Sequence, residues 1–474
     1  MKVLFVEPPK DLWFVMGDYS PPPYGIIQLA SYLDQESKDA EIEVLDCNAE
    51  HIDWKNLEGR IESFGPDIVA SSSLATCNAY VTVRTLEIAK KVNPNILTVT
   101  GGQHFTATTQ ESLEEYSDID VIIKDEGEQT FTELVLNADK KSTFSGIAGI
   151  SFRHDGKIFH NPSRPLIEDL DTLPYPGYHF VKDSINKYHF AAMAGRDAPY
   201  ALIEGSRGCS HSCTFCTQWR HWQGRWRSKS SRRIADEMSF CNRNYGSKFV
   251  WLTDDNLGSG RRVSDLADEL IRHKLPDDFM WFVQARCDDI IRNKEVLPKL
   301  RKSGLRWVLL GVENSDPATL ERLKKGTTPN DAKEAVKLLK KNDIFSHAMF
   351  IIGNRNDTPE SISNLRKFAN DLDPDFVIFA VLTPFPGNDI FDEAKRNGWI
   401  EDYNWANYDM VHAVMPTETM TRMSVQEELY ECYRSFYGSW SRRIQGSFSS
   451  NEMKRRLFWH MARKGIIRKL GKLS

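Results

Sequence analysis

The sequence predicts an α/β protein: an N-terminal Rossmann-like parallel sheet, a central partial (β/α)6 barrel of the TIM type, and a helical C-terminal region. Three observations point to it. Short continuous apolar runs alternate with helical patterns over the first 125 residues. The same alternation returns six times between residues 201 and 382, at intervals of roughly 30 residues. A proline-rich polar stretch separates the two series.

The first series opens with Lys2-Val-Leu-Phe-Val6, a run that reads as a buried strand ending at Pro8-Pro9. Further runs lie at Ile42–Leu45, Ile68–Ser72, Leu97–Thr100 and Val121–Ile123, with helical patterns such as Gly25–Leu33 and Tyr80–Val92 between them. Parallel sheets bind ligands at their carboxyl ends, and the residues there are suggestive. Ser71-Ser-Ser-Leu74 includes Ser72; Thr100-Gly-Gly-Gln-His-Phe-Thr106 includes Gly101, Gly102 and His104; Lys124-Asp-Glu-Gly-Glu128 includes Glu126 and Gly127. Ordinary βα turns are the plain alternative for all three. No G-x-G-x-x-G follows the first strand, which argues against a nicotinamide or flavin domain. Residues 151–160 alternate around Asp155-Gly156 and predict a hairpin, which we place in a linker with the Pro-rich stretch 161–176. The expected organisation is 1–150, a linker at 151–195, a barrel at 196–390 and a C-terminal region at 391–474.

Composition excludes several classes. A chain of 474 residues has room for two to four domains. A net charge of −5 gives no general argument for nucleic-acid binding. The longest apolar runs are too short to cross a membrane, and Met1–Pro9 is too short for a signal peptide. Eight cysteines without a signal suggest thiols in a reducing, cytoplasmic setting rather than disulfides.

Three of those cysteines form C-x3-C-x2-C: Cys209-Ser-His-Ser-Cys213-Thr-Phe-Cys216, just after the strand Ala201–Gly205. Structural zinc would need a fourth ligand, and only His211, awkwardly placed between the first two cysteines, offers one. A disulfide would leave one thiol over. A 4Fe-4S cluster held by three thiolates keeps one iron open for another ligand. The other cysteines (47, 77, 241, 287 and 432) show no second cluster spacing; Cys287, beside Arg286 at a strand end, is the one with a plausible site role.

This motif resembles that of the radical S-adenosylmethionine enzymes, with Phe215 as their usual aromatic before the third cysteine. The N-terminal domain resembles the cobalamin-binding domain that precedes many of them. The D-x-H-x-x-G motif of cobalamin mutases is absent, as it usually is in the radical subgroup, so His104 is not assigned as a cobalt ligand. The resemblance implies a 4Fe-4S cluster, S-adenosylmethionine and cobalamin, with methylcobalamin as methyl donor to an unactivated sp3 carbon after a 5′-deoxyadenosyl radical removes its hydrogen. It also implies an external one-electron donor of the flavodoxin or ferredoxin type. A substrate open on this reading is a protein side chain, such as a glutamine of methyl-coenzyme M reductase. The alternative activities are oxidative cyclisation of magnesium-protoporphyrin monomethyl ester and radical modification of a lipid, and the non-enzyme alternative is an iron–sulfur and cobalamin sensor module.

The barrel strands expected at Phe249–Thr253, Met280–Gln284, Trp307–Gly311, Ala348–Ile352 and Phe376–Leu382 end in polar residues. Between them, helices are expected at Arg232–Arg243, Val263–His273, Lys294–Ser303, Asp331–Lys341 and Pro359–Asp371. By the resemblance, Arg286, Glu313 and Gly353 contact S-adenosylmethionine with Phe215. Asp254, Asp255, Asn256, Trp219 and Trp222 are expected to line the substrate cavity. Asn354-Arg355 stands where many relatives have Leu-Pro.

Residues 390–437 read as helical, with scattered Trp and Tyr that suit a substrate-side lid. From Arg442 to Lys472 there are ten Lys or Arg against one acid, Glu452, with Leu457, Phe458, Met461, Ile466, Ile467 and Leu470 as an apolar face. This tail suggests contact with a membrane surface or an acidic partner; a helix packed on the barrel with a solvated basic face is the alternative.

Overall fold

The computed structural model describes residues 1–10, 19–139 and 141–464. Its first sheet has seven strands: β1 (Lys2–Glu7), β2 (Glu41–Asp46), β3 (Ile68–Ser72), β4 (Leu97–Gly101), β5 (Val121–Ile123), β6 (Ile150–His154) and β7 (Lys157–His160). Their order is β2-β1-β3-β4-β5-β6-β7, parallel through β5 and antiparallel thereafter. The period of two in β1 sends Val3 and Phe5 into one core, with Ile27 and Phe131, and Leu4 and Val6 into another, with Leu57 and Leu86. That two-sided burial is why the strand reads as a continuous apolar run. Strand order reverses beside β1, which opens a crevice at its carboxyl end.

The hairpin assigned to the linker belongs instead to this sheet, as β6 and β7. Its turn residues Asp155 (φ 49°) and Gly156 (φ 74°) have the mirror-image twist that two-residue hairpins need. Sequence alternation marks a hairpin but does not say which sheet edge it joins.

The second sheet is β8 (Tyr200–Ile203), β9 (Phe249–Leu252), β10 (Met280–Arg286), β11 (Leu305–Glu313), β12 (Phe345–Ile352) and β13 (Phe376–Val381). All six are parallel and ordered as in the chain, so the barrel is open between β8 and β13. The helices after β11 and β12, Pro329–Lys341 and Pro359–Leu372, start with capping boxes at Thr328 and Thr358 and proline in the first turn. The helix expected over 294–303 is shorter, Leu297–Lys302, and a separate helix, Cys287–Arg292, precedes it. Pro298 has no N–H to continue a helix and fits only the first turn of a new one.

The open edges present unpaired backbone groups, and tyrosine hydroxyls satisfy some of them. On β8, Tyr178 Oη accepts from Leu202 N (2.7 Å) and donates to Leu202 O (2.9 Å). On β13, Tyr433 serves Phe379 and Tyr437 serves Val377 in the same way. Both tyrosines lie on the helix Arg422–Tyr437.

Residues 390–437 are only partly helical. Asp389–Arg396 and Arg422–Tyr437 are helices, but 397–421 is mainly irregular. Asn397-Gly398 ends the first helix, with Gly398 at φ 64°, and side chains of Asp402, Asn404 and Asp409 bond the following backbone as turn formers do. The tail forms two helices, Trp440–Ser447 and Glu452–Lys464, and Leu457, Phe458 and Met461 are buried in the main core. The expectations for Ile466, Ile467 and Leu470 fall outside the described residues.

Candidate functional site

The cluster motif occupies the loop that leaves β8. Ser206–Arg207 pairs antiparallel with Arg227–Ser228 and closes this loop at its base. Gly208 has φ +85°, and a Cβ there would stand 2.1 Å from Arg225 O, so the loop requires glycine at this point. Cys213 is buried; Cys209 and Cys216 are half-buried. Burial raises all three thiols, Cys216 up to about 12. The backbone N–H groups of His211 and Gln218 face Cys209 and Cys216, and the Arg286 side chain faces Cys213. Donors aimed at buried sulfur favour the thiolate form that an iron–sulfur cluster uses.

The barrel residues expected at the site form a packed shelf beneath this loop. Glu313 (φ 66°) follows a register shift in β11, and its Oε1 accepts from buried Lys325 Nζ at 2.6 Å. Arg286 donates to Lys325 O and to Asp288. Neither side chain is thus a free ligand arm. Asp254 accepts from the backbone N–H of Gly205 and Ser206 and pairs with Arg262, so it holds the strand end rather than facing an open cavity. Asn256 is likewise engaged, donating to Asp289 and accepting from Arg286 N. Asp255 differs from both. Burial, with Asp254 and Glu204 nearby, raises it to about 7, while the Gly208 N–H opposes the shift. Phe215 packs against the small apolar cluster that holds Ile351, Leu382 and Met415, and its carbonyl accepts from Asn388. Gly353 (φ +78°) turns the chain after β12; Arg355 then bonds Pro416 O and lies 4.7 Å from the centre of the Trp399 ring. The C-terminal region therefore supports the loop in which Asn354-Arg355 departs from Leu-Pro.

The basic, tryptophan-bearing stretch after the cluster, residues 216–229, has most of its cations paired. Arg220 pairs with Asp389 and Asp392, Arg225 with Glu168, and Lys229 with Glu237. Trp222 lies against the guanidinium groups of Arg207 and Arg227, with its Nε1 bonded to Gln218. Trp219 is half-buried, and its buried Nε1 has no partner. Trp222 thus covers an ion cluster.

On the first sheet, the carboxyl ends bring together buried polar atoms without partners: Ser71 Oγ, Thr100 Oγ1 and His104 Nδ1. Such atoms are rare unless a ligand or water meets them, and they fit a polar cofactor at this edge. Burial lowers His104 to about 4, and its ring packs against Phe105 and Trp405. Ser72 is half-buried at the end of β3, with its carbonyl near the Thr82 hydroxyl. Gly101 and Gly102 serve the backbone: a Cβ would stand 2.9 Å from Ile123 O and 2.5 Å from Ser73 O respectively. Gly127 starts the helix Glu128–Leu136 against Leu29. The Glu126 carboxylate is held by Arg207, Arg227 and Ile167 N, so its expected cofactor contact would have to come from backbone.

The two carboxyl-end faces meet. Gln103 donates to Gln218 Oε1 at 2.8 Å and accepts from Thr217 Oγ1 at 3.2 Å, joining the β4 loop to the segment just past Cys216. Sequence reasoning gave no role to Gln103, Gln218, Lys325 or Arg207, and placed Trp405 only among the aromatics of the expected lid. Of those four, Arg207 had a local signal, as a charged residue two positions before the first cysteine.

Comparison with known proteins agrees with this geometry. Residues 17–135 match the B12 binding domain and residues 203–369 the Radical SAM superfamily. The chain is 32% identical over 440 residues to an uncharacterized methyltransferase of Pyrococcus horikoshii, covering 92% of both. It is 32% identical over 444 residues to the anaerobic magnesium-protoporphyrin IX monomethyl ester cyclase of Rubrivivax gelatinosus, covering 92% of this chain and 77% of the cyclase. Among solved structures, the methyltransferase TsrM from Kitasatospora setae, with cobalamin and a 4Fe-4S cluster bound, has a TM-score of 0.71 at 16% identity and matches 100% of this chain and 99% of its own. OxsB, with aqua-cobalamin and S-adenosylmethionine bound, gives 0.74 at 16% identity over 100% of this chain and 72% of its own. The protein belongs to the cobalamin-binding radical S-adenosylmethionine family. Its relatives there include both methyltransferases and cyclases.

Proposed function

We propose that this protein is a cobalamin-dependent radical S-adenosylmethionine methyltransferase that moves a methyl group from methylcobalamin to an unactivated sp3 carbon. The observation that carries this is the junction of the two faces: the Gln103–Gln218–Thr217 contacts join the β4 loop directly to the cysteine loop. Cys209, Cys213 and Cys216 would hold the 4Fe-4S cluster. Phe215, Gly353 and the Glu313–Lys325–Arg286 shelf would shape the S-adenosylmethionine site. The Ser71, Thr100 and His104 edge would meet cobalamin. Bound there, these cofactors supply a 5′-deoxyadenosyl radical and a transferable methyl group. The chain's own part is to position them and exclude water. Asp255, raised toward neutral pH beside the cysteine loop, suits a group that holds or passes a proton near the reacting centre. A flavodoxin- or ferredoxin-type protein would supply electrons.

The identity of the carbon acceptor, a glutamine side chain, a lipid or another small molecule, is open to a direct experiment. Reconstituted enzyme is incubated anaerobically with methyl-deuterated S-adenosylmethionine in host extract, and peptides and small molecules are searched by mass spectrometry. Methyltransfer predicts a labelled product. The cyclase reading, favoured by the relationship to the Rubrivivax enzyme, predicts 5′-deoxyadenosine without label transfer and a new ring in the porphyrin ester.

A further inference from the structure

The C-terminal helical hairpin leaves an apolar face uncovered. Gly446 lets its two helices, Trp440–Ser447 and Glu452–Lys464, approach closely: a Cβ there would stand 2.4 Å from the Phe458 ring. The inner side packs on the body through Met453, Leu457, Phe458 and Met461. The outer side shows Trp440 (75% exposed), Ile444 (57%) and Phe448 (77%), which recur every four residues on one face, and Trp459 (46%) beside them. Trp459 Nε1 bonds Ser447 O at 3.1 Å and so fixes its ring against the end of the first helix. Four large apolar side chains together on a surface signal an interaction site rather than scattered exposure.

The charge around this face selects the partner. In sequence, residues 442–472 hold ten Lys or Arg against Glu452 alone, in a chain whose net charge is −5; of the described ones, Arg442, Lys454 and Arg456 pair with Asp373, Asp375 and Glu452. Arg443 lies 5.7 Å from the centre of the Trp440 ring, and Arg443 and Arg455 donate to carbonyl oxygens of Tyr437 and Ser449, contacts that do not cancel charge. Arg463 is exposed on the second helix. Tryptophan and phenylalanine flanked by arginine match the boundary between lipid headgroups and acyl chains. No helix among the described residues is long and apolar enough to cross a membrane, so the contact would be superficial. We propose that this face docks the enzyme on an anionic lipid bilayer surface.

The test uses the full chain loaded with cobalamin and cluster. It is sedimented with vesicles of equal parts phosphatidylglycerol and phosphatidylcholine, and with vesicles of phosphatidylcholine alone. The expected result is binding to the anionic vesicles that weakens with salt, with weaker binding to the neutral ones. The double variant Trp440→Ser, Phe448→Ser should lose about tenfold or more in affinity while keeping its cobalamin and iron content. A second variant, Arg443→Gln, Arg463→Gln, should lose the preference for anionic lipid. Absence of binding by the wild type, or equal binding by the aromatic variant, overturns the proposal. So does a dimer in solution that the aromatic variant abolishes without any vesicle binding, which would assign the face to a second copy of this chain.

Discussion

Cys213 and Asp46 show what single residues do here. Cys213 is the buried member of the cysteine triplet, and Cys213→Ala should drop bound iron to near background and abolish 5′-deoxyadenosine formation. Retained cleavage of S-adenosylmethionine would overturn the cluster assignment. Asp46, at the end of β2, accepts from Tyr188 Oη at 3.0 Å and from the N–H groups of Asn48 and Ala49. Burial, with Glu7 nearby, raises it to about 6 from an ordinary value of 3.8. Between those values the folded chain keeps a proton that the unfolded chain has released. Stability therefore falls as pH rises through the window and is level above it. Relative to Asp46→Asn, the wild type should lose about 2–3 kcal/mol from pH 4 to pH 7, read from urea midpoints; a difference independent of pH would refute the raised value. Little of this is visible in sequence, because Tyr188 lies far along the chain from Asp46.

Whole elements explain how a barrel with an open seam stays closed to other strands. An exposed edge is a template for unwanted pairing. Tyr433 and Tyr437 occupy part of the β13 edge and Tyr178 part of the β8 edge, each hydroxyl bonding both backbone groups of one residue. Tyr433→Phe or Tyr437→Phe leaves a buried N–H and C=O unsatisfied and should cost about 1–3 kcal/mol each. Exposed Tyr403→Phe should cost close to nothing in the same denaturation assay. The strands themselves were legible as apolar runs, and most of the helices as the patterns between them. The irregular path of 397–421 was not, since its Trp and Tyr residues mimic helical spacing while Asn, Asp and Gly set the turns.

At the scale of the molecule, a buried ion cluster joins the domains. Arg207 donates through Nη1 to Glu126 (2.7 Å), Nη2 to Glu128 (2.5 Å) and Nε to Glu204 (2.9 Å), and Arg227 adds a second cation at Glu126 (2.9 Å). Glu126 and Glu128 belong to the first domain and the others to the barrel. Removing one partner strands the others' charge in the interior. Arg207→Met should therefore cost about 3–5 kcal/mol and speed proteolysis within residues 161–199. Arg207→Lys should fail to rescue it, because one ammonium lacks the planar fork that reaches three carboxylates. Unchanged cleavage in Arg207→Met would show that the domains are held together by other contacts.

Features that depend on local spacing were readable from the chain alone: the C-x3-C-x2-C loop, the glycine turns at strand ends and the two series of buried parallel strands. Each is written within a few residues, at the period of a strand or loop. Only the tertiary structure decided which strand-end polar groups are free. Glu126, Asp254 and Asn256 look like site residues in sequence, yet each is engaged by a partner from another segment. Burial makes a charge or amide find such a partner, and the partner is set by packing rather than by neighbours in the chain. The same holds for the tail, whose basic composition was plain from the start. Its outward aromatic face appeared only once the opposite side of the hairpin had packed into the core.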